Sequence, residues 1–137
     1  MAQMIESPTV FYDADCGFCL WCVAKVIALD RSHSLRYRPI QDPASVGPLG
    51  AIPEGQRLGS WHLATQDGTV YSAGRAFVPL LRTLPRSRAA SSALAHIPPA
   101  LLDRAYYAVA ARRTAAGRLL TAGARRRSRA TVLSRGA

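Results

Sequence analysis

Apolar residues first cluster at Thr9-Val10-Phe11-Tyr12, a β-branched and aromatic run ending at Asp13 that predicts a buried strand. The chain then turns through Asp13-Ala14-Asp15-Cys16-Gly17. From Phe18 to Asp30 there is no Pro or Gly and nearly every side is apolar, which predicts a helix covered on more than one face. Its start is expected at Asp15 or Cys16, Asp being a good N-cap. Leu35 to Ile40 alternates with period two, placing Leu35, Tyr37 and Pro39 on one face of a second strand. Residues 42 to 59 are rich in Pro and Gly and predict a loop with at most a helical turn near Ala44 to Val46.

Ser60 to Thr65 and Thr69 to Ser72 flank Gln66-Asp67-Gly68, an Asp-Gly turn signal that predicts a β-hairpin. Beyond Arg75, the apolar residues Phe77, Leu80, Leu81 and Leu84 recur at helical spacing; Pro79 either kinks that helix or marks its first turn, and Pro85 ends it. A short helix from Ser87 to Ile97 and a longer one from about Ala100 to Leu120 follow, the latter with Leu102, Tyr106, Val109, Ala116 and Leu120 on one stripe. A parallel βαβ start, an antiparallel hairpin and a helix make an α/β, thioredoxin-like arrangement with a C-terminal helical extension. Residues 1–121 form one domain in this reading, and residues 122–137 a flexible, solvated Arg-rich tail.

A chain of 137 residues fits one domain that buries roughly two thirds of its unfolded surface, and a hydrophobic fraction of 49% argues against disorder. The net charge of +10 is uneven: residues 1–100 carry nine Lys and Arg against seven Asp and Glu, residues 101–137 nine Arg against Asp103 alone. Arg112, Arg113, Arg118 and Arg125 to Arg129 could therefore give salt-sensitive affinity for nucleic acid or an anionic membrane surface. No nucleic-acid motif accompanies them, and a solvated tail is the plainer reading. Met1 to Ser7 has neither the basic nor the apolar region of a secretory leader, and Phe18 to Leu29, broken by Lys25, is too short to span a membrane. A cytoplasmic location is expected.

All three cysteines lie between Cys16 and Cys22, so they form a site and not a disulfide scaffold. Cys16-Gly17-Phe18-Cys19 falls where the first strand gives way to a helix. A thiolate there meets unsatisfied backbone N–H groups and the positive end of the helix dipole. Cys16 is then the nucleophile, and Cys19, about one turn on, the resolving thiol. Gly17 allows the tight turn and leaves Cys16 open to approach. Cys22 reads first as a core residue and second as an auxiliary thiol. Asp13 and Asp15 place negative charge beside Cys16, which opposes the dipole; Asp15 can instead cap the helix, and Asp13 can relay a proton to the leaving thiol.

Other chemistries remain open on these residues. Two buried cysteines acting as small hydrophobes is one. A metal-binding or redox-sensing protein using Cys16, Cys19 and Cys22 is another, yet Val23-Ala24-Lys25-Val26 supplies no fourth Cys, and His33, His62 and His96 stand at no zinc-finger spacing. Of these, His62 is the one to watch, lying in a strand expected beside the first. No cofactor is expected.

Phe11-Tyr12-Asp13-Ala14-Asp15-Cys16-Gly17-Phe18-Cys19 resembles the opening Tyr-Asp-x-Asp-Cys-x-x-Cys signature of the DCC family, thiol-disulfide oxidoreductases named for their Asp-Cys-x-x-Cys. The likeness continues through Pro39-Ile40-Gln41, Asp67-Gly68-Thr69-Val70-Tyr71, Ala73-Gly74-Arg75-Ala76, Leu84-Pro85 and the Tyr106 to Arg113 segment, spanning roughly residues 8 to 120. It implies a thioredoxin-like fold and disulfide exchange by Cys16 and Cys19, acting on a disulfide-containing protein or a small thiol, with a separate reductant to recycle the pair. Ala14 stands where the family more often has Gly. The proline that thioredoxins usually carry in cis before the third strand is missing from Leu58-Gly59-Ser60-Trp61, and Pro53 lies too far upstream to replace it.

Overall fold

In the computed structural model, residues 7–136 are described; the reading of residues 1–6 as lacking a leader, and Ala137 at the end of the tail, lie outside them. Strands β1 (Thr9–Tyr12), β2 (Arg36–Pro39), β3 (His62–Ala64) and β4 (Val70–Ser72) form one sheet in the order β2-β1-β3-β4. β1 runs parallel to β2, with Val10 opposite Tyr37, and antiparallel to β3, with Val10 opposite Leu63. Helix α1 (Gly17–Leu29) makes the crossover between β1 and β2. The hairpin of β3 and β4 turns at Gly68, whose φ of 84° is a left-handed conformation that glycine adopts without strain. This is the thioredoxin-like α/β arrangement.

All four β1 residues are buried because both sheet faces are covered, which is why the strand shows no polar alternation. On one face Val10, Tyr12, Leu63 and Tyr37 pack with Leu20, Val23 and Ile27 of α1 and with Leu80 and Leu84. On the other, Phe11 and Ala64 pack with Ile40 and Leu49, so the Pro- and Gly-rich segment after β2 acts as a cover held by two short 3-10 turns, Pro43–Ser45 and Glu54–Gly59.

Helices α2 (Phe77–Thr83) and α3 (Arg88–Ala95) follow a 3-10 turn at Ala73–Ala76. Pro79 falls in the first turn of α2, where its missing N–H costs no intrahelical bond. The long helix expected from Ala100 to Leu120 is two: α4 (Pro99–Ala110) and α5 (Arg113–Leu119), separated at Ala111-Arg112. No Pro or Gly marks the break. The bend lays α5 against α1, with Gly117 near the Phe18 backbone.

Residues 122–136 also depart from the expected solvated tail. They form α6 (Ala122–Gly136), which packs along α1 and touches β2. Ser128, Val132 and Arg135 lie on one face of that helix; Val132 is 1% exposed, and Arg135 reaches Asp30 at 3.1 Å. The Asp30 carboxylate is fully buried and also accepts from the Ser34 and Leu35 backbone N–H groups and the Tyr37 hydroxyl. Arg125, Arg126, Arg127 and Arg129 remain exposed. The extension escaped sequence reading because its buried face holds one small polar residue, one Val and one cation, which produce almost no hydrophobic periodicity.

Candidate active site

The end of β1 and the start of α1 deliver the cysteines to one place. Cys16 is the N-cap of α1, with extended backbone, and its Sγ accepts a hydrogen bond from the Cys19 N–H at 3.2 Å. Its carbonyl accepts from the Leu20 N–H at 3.0 Å, the first intrahelical bond. Of the two caps expected, Cys16 takes the position and Asp15 is exposed in the turn before it. A sulfur at an N-cap lies where a helix favours negative charge, since orphan N–H groups point at it. Gly17 is open on one side, with only the Arg125 side chain at 3.6 Å from where a Cβ would stand.

Cys19 is partly buried, and burial pushes its thiol well up, reinforced by Cys16; Arg113 pulls the other way. Cys22 is pushed up to about 11, first by burial and then by Cys16. All three cysteines are free thiols.

Asp13 is held in place from three sides. Its Oδ1 accepts from the Asp15 N–H at 2.9 Å and from Gln41 Nε2 at 2.7 Å, and its Oδ2 faces Arg113 Nη1 at 4.0 Å. Gln41 in turn accepts from the Ala14 N–H at 3.1 Å, clamping the turn before Cys16 to the end of β2. The same Arg113 Nη1 lies 4.0 Å from Cys19 Sγ. One guanidinium thus faces both the Cys19 thiol and the Asp13 carboxylate. Burial lowers the Arg113 pKa, but Cys19, Cys16 and Asp13 outweigh it and the net shift is upward.

Beside the thiols lies a cavity of about 380 Å³, bounded by α1, α2, α4 and the segment before β3. Cys19 and Cys22 line it, together with the polar residues Asp13, Ser60, Tyr106 and Arg113. Of the Leu58 to Trp61 segment, Ser60 and Trp61 line the cavity. Among the described residues every peptide bond there is trans, and the Trp61 N–H donates to the Tyr106 hydroxyl at 3.3 Å. The ring of Trp61 packs on Phe77 and Phe77 on Tyr106, so part of the cavity lining is aromatic.

His62 is not part of this site. It is 1% exposed, with Nε2 against the Arg57 carbonyl at 2.7 Å and Nδ1 against the Ser72 hydroxyl at 2.6 Å. A carbonyl only accepts, so Nε2 carries the proton and Nδ1 accepts from Ser72. Burial lowers its pKa. His33 and His96 are exposed. Among the described residues no three His, Cys, Asp or Glu side chains are placed to hold a metal ion.

The residues singled out in the sequence, Cys16, Cys19, Cys22, Asp13, Asp15 and Gly17, lie together at the start of α1, and the structure adds Gln41, Tyr106 and Arg113 around them. Gln41 and Arg113 fall within the family-like segments after β2 and in the last helices, which is the signal that pointed at them without saying what they do.

No individually curated protein and no solved structure matches the chain. The family model of the DCC1-like thiol-disulfide oxidoreductases matches residues 10–119, from the first strand through the helix that carries Arg113. With four fifths of its length covered and a Cys-x-x-Cys pair at the helix N-terminus, this chain belongs to the DCC1-like thiol-disulfide oxidoreductase family.

Proposed function

We propose that this protein exchanges disulfides through Cys16 as nucleophile and Cys19 as resolving thiol, acting on protein disulfides in a reducing compartment, in our reading the cytoplasm. The observation that carries it is the Cys16 Sγ at the N-cap, receiving the Cys19 N–H at 3.2 Å. The Cys16 thiolate attacks a substrate disulfide, forming a Cys16–substrate bond while the other substrate sulfur leaves as a thiolate and takes a proton from solvent. Cys19 loses its proton to Asp13, directly or through water, and attacks Cys16 Sγ, releasing the second substrate thiol. A Cys16–Cys19 disulfide remains and an external dithiol reduces it.

Arg113 is the positioning residue for the second step, since it lies against both Cys19 and Asp13. Burial keeps Cys19 protonated until the mixed disulfide forms, which stops it competing with Cys16 for substrate. The test is insulin reduction with dithiothreitol as the electron source. Wild type accelerates it, Cys16→Ser does not, and Cys19→Ser accumulates a mixed disulfide visible by mass. Full activity in Cys16→Ser sinks the assignment.

A further inference from the structure

The two thiols of the pair face different surroundings. Cys16 caps α1 at the surface turn and takes no part in the cavity wall, whereas Cys19 is in that wall. A dithiol couple has to meet two partners in turn, one to oxidise it and one to reduce it. We propose that the cavity is a binding site for a small quinone-class oxidant, which takes electrons from the pair through Cys19, while the dithiol partners that supply those electrons meet Cys16 from outside by the same exchange run in reverse. This rests on the oxidoreductase reading above.

Size, lining and charge select that ligand. A volume of about 380 Å³ exceeds what one peptide side chain fills and lies in the usual range of small-molecule sites. Its lining includes the aliphatic Val26, Leu80 and Leu102 and the packed rings of Trp61, Phe77 and Tyr106; together they suit a flat ring with an apolar substituent. The charge of the lining is close to neutral. Among the described lining residues Arg113 is the one cation and Asp13 the one carboxylate, 4.0 Å apart. An acidic head group would meet Asp13, and an amine would meet Arg113. A neutral carbonyl is accommodated, because the Arg113 guanidinium and the Tyr106 hydroxyl both have protons to donate to it.

The step balances with the quinone as two-electron, two-proton acceptor. The S–H bonds of Cys16 and Cys19 break, a Cys16 Sγ–Cys19 Sγ bond forms, and the two quinone oxygens take up two protons to become the hydroquinone hydroxyls. Asp13 is placed to take the Cys19 proton and pass it toward the nearer oxygen, while the Arg113 guanidinium stays charged beside both.

The probe is duroquinone, whose ring is fully substituted, so thiols have no open ring carbon to add to. Reduced protein is mixed with it without oxygen, following quinone absorbance and the disulfide by mass, beside Leu102→Trp and Ala110→Phe, which fill the cavity from α4 and are checked for folding by thermal unfolding. One quinone is consumed per disulfide formed, the rate saturates with quinone, and at least one folded filling variant slows it about tenfold. Oxidised glutathione, which reaches Cys16 from outside, is the control. In the redox-inert Cys16→Ser, Cys19→Ser double variant, duroquinone quenches Trp61 fluorescence saturably. A linear rate that both filling variants leave unchanged, or no saturable quenching, overturns the quinone site and leaves disulfide exchange standing. Failure of oxidised glutathione to form the Cys16–Cys19 disulfide overturns the oxidoreductase reading itself.

Discussion

Three cysteines one helical turn apart experience three environments, and their chemistry diverges accordingly. Cys22, with a pKa of about 11, has about one thiolate in a thousand at pH 8. Iodoacetamide labelling of the reduced protein at that pH is therefore expected to leave Cys22 among the last to react, with its rate rising about tenfold per pH unit until that value. Labelling of Cys22 that is fast and insensitive to pH would contradict its burial. Arg113 acts on Cys19 in the opposite sense to burial, favouring the thiolate. Arg113→Ala is expected to slow resolution of the mixed disulfide about three- to tenfold at neutral pH, while Arg113→Lys restores most of the rate. Trapping the intermediate by acid quench over time reads this directly, and an unchanged lifetime across pH would remove Arg113 from the mechanism. Cys16 and Cys19 were legible from their spacing alone. Arg113 was not, because its partners lie about a hundred residues earlier in the chain and no local pattern links them.

At the scale of elements, α4 depends on a glycine. A Cβ at Gly74 would stand 1.9 Å from the Leu102 carbonyl oxygen, so α4 approaches the turn after β4 closer than any other residue permits. The contact is fastened by Asp103, whose Oδ1 accepts from the Arg75 N–H at 3.0 Å and whose Oδ2 pairs with the Arg75 guanidinium at 2.8 Å. Gly74→Ala must push α4 outward; a loss of about 2 kcal/mol in urea unfolding, with the Trp61 environment changed, is expected. The α6 contact makes a second prediction. Arg135→Ala leaves the buried Asp30 charge without its cation and should cost about 3 kcal/mol, whereas Arg126→Ala, on the exposed side, should fall within about 0.5 kcal/mol of wild type. Equal effects of the two would show that α6 is not docked through Asp30. Strands, hairpin and α1 could be read from local signals: apolar runs that bury β1 and α1, period-two alternation in β2 and an Asp-Gly turn in the hairpin. The split between α4 and α5 and the docking of α6 could not, since both follow from contacts with α1 and not from local preference.

For the molecule as a whole, burial of Cys19 and Cys22 couples stability to pH. Both thiols titrate higher in the folded chain than in the unfolded one, so between the two ranges the folded state holds more protons and stability falls as pH rises. The contribution is complete below the unfolded thiol value of about 8.5 and fades above it. Denaturation of the reduced protein should therefore show a midpoint that drops from pH 8 to pH 10, and Cys22→Ala should flatten the drop; a pH-independent midpoint would contradict the sign. No helix among the described residues is long and apolar enough to cross a membrane. What the sequence by itself determined is the α/β core, the sheet strands and the Cys-x-x-Cys pair. Those rest on period-two and helical burial patterns and on a two-residue gap between thiols, all of them local. What only the tertiary structure decided is the surroundings of that pair: Arg113 and Gln41 around Asp13, the apolar cavity behind Cys19, and a basic extension folded back as a helix on α1. Each depends on side chains far apart in the chain meeting across a packed interface, and such meetings leave no period in the sequence.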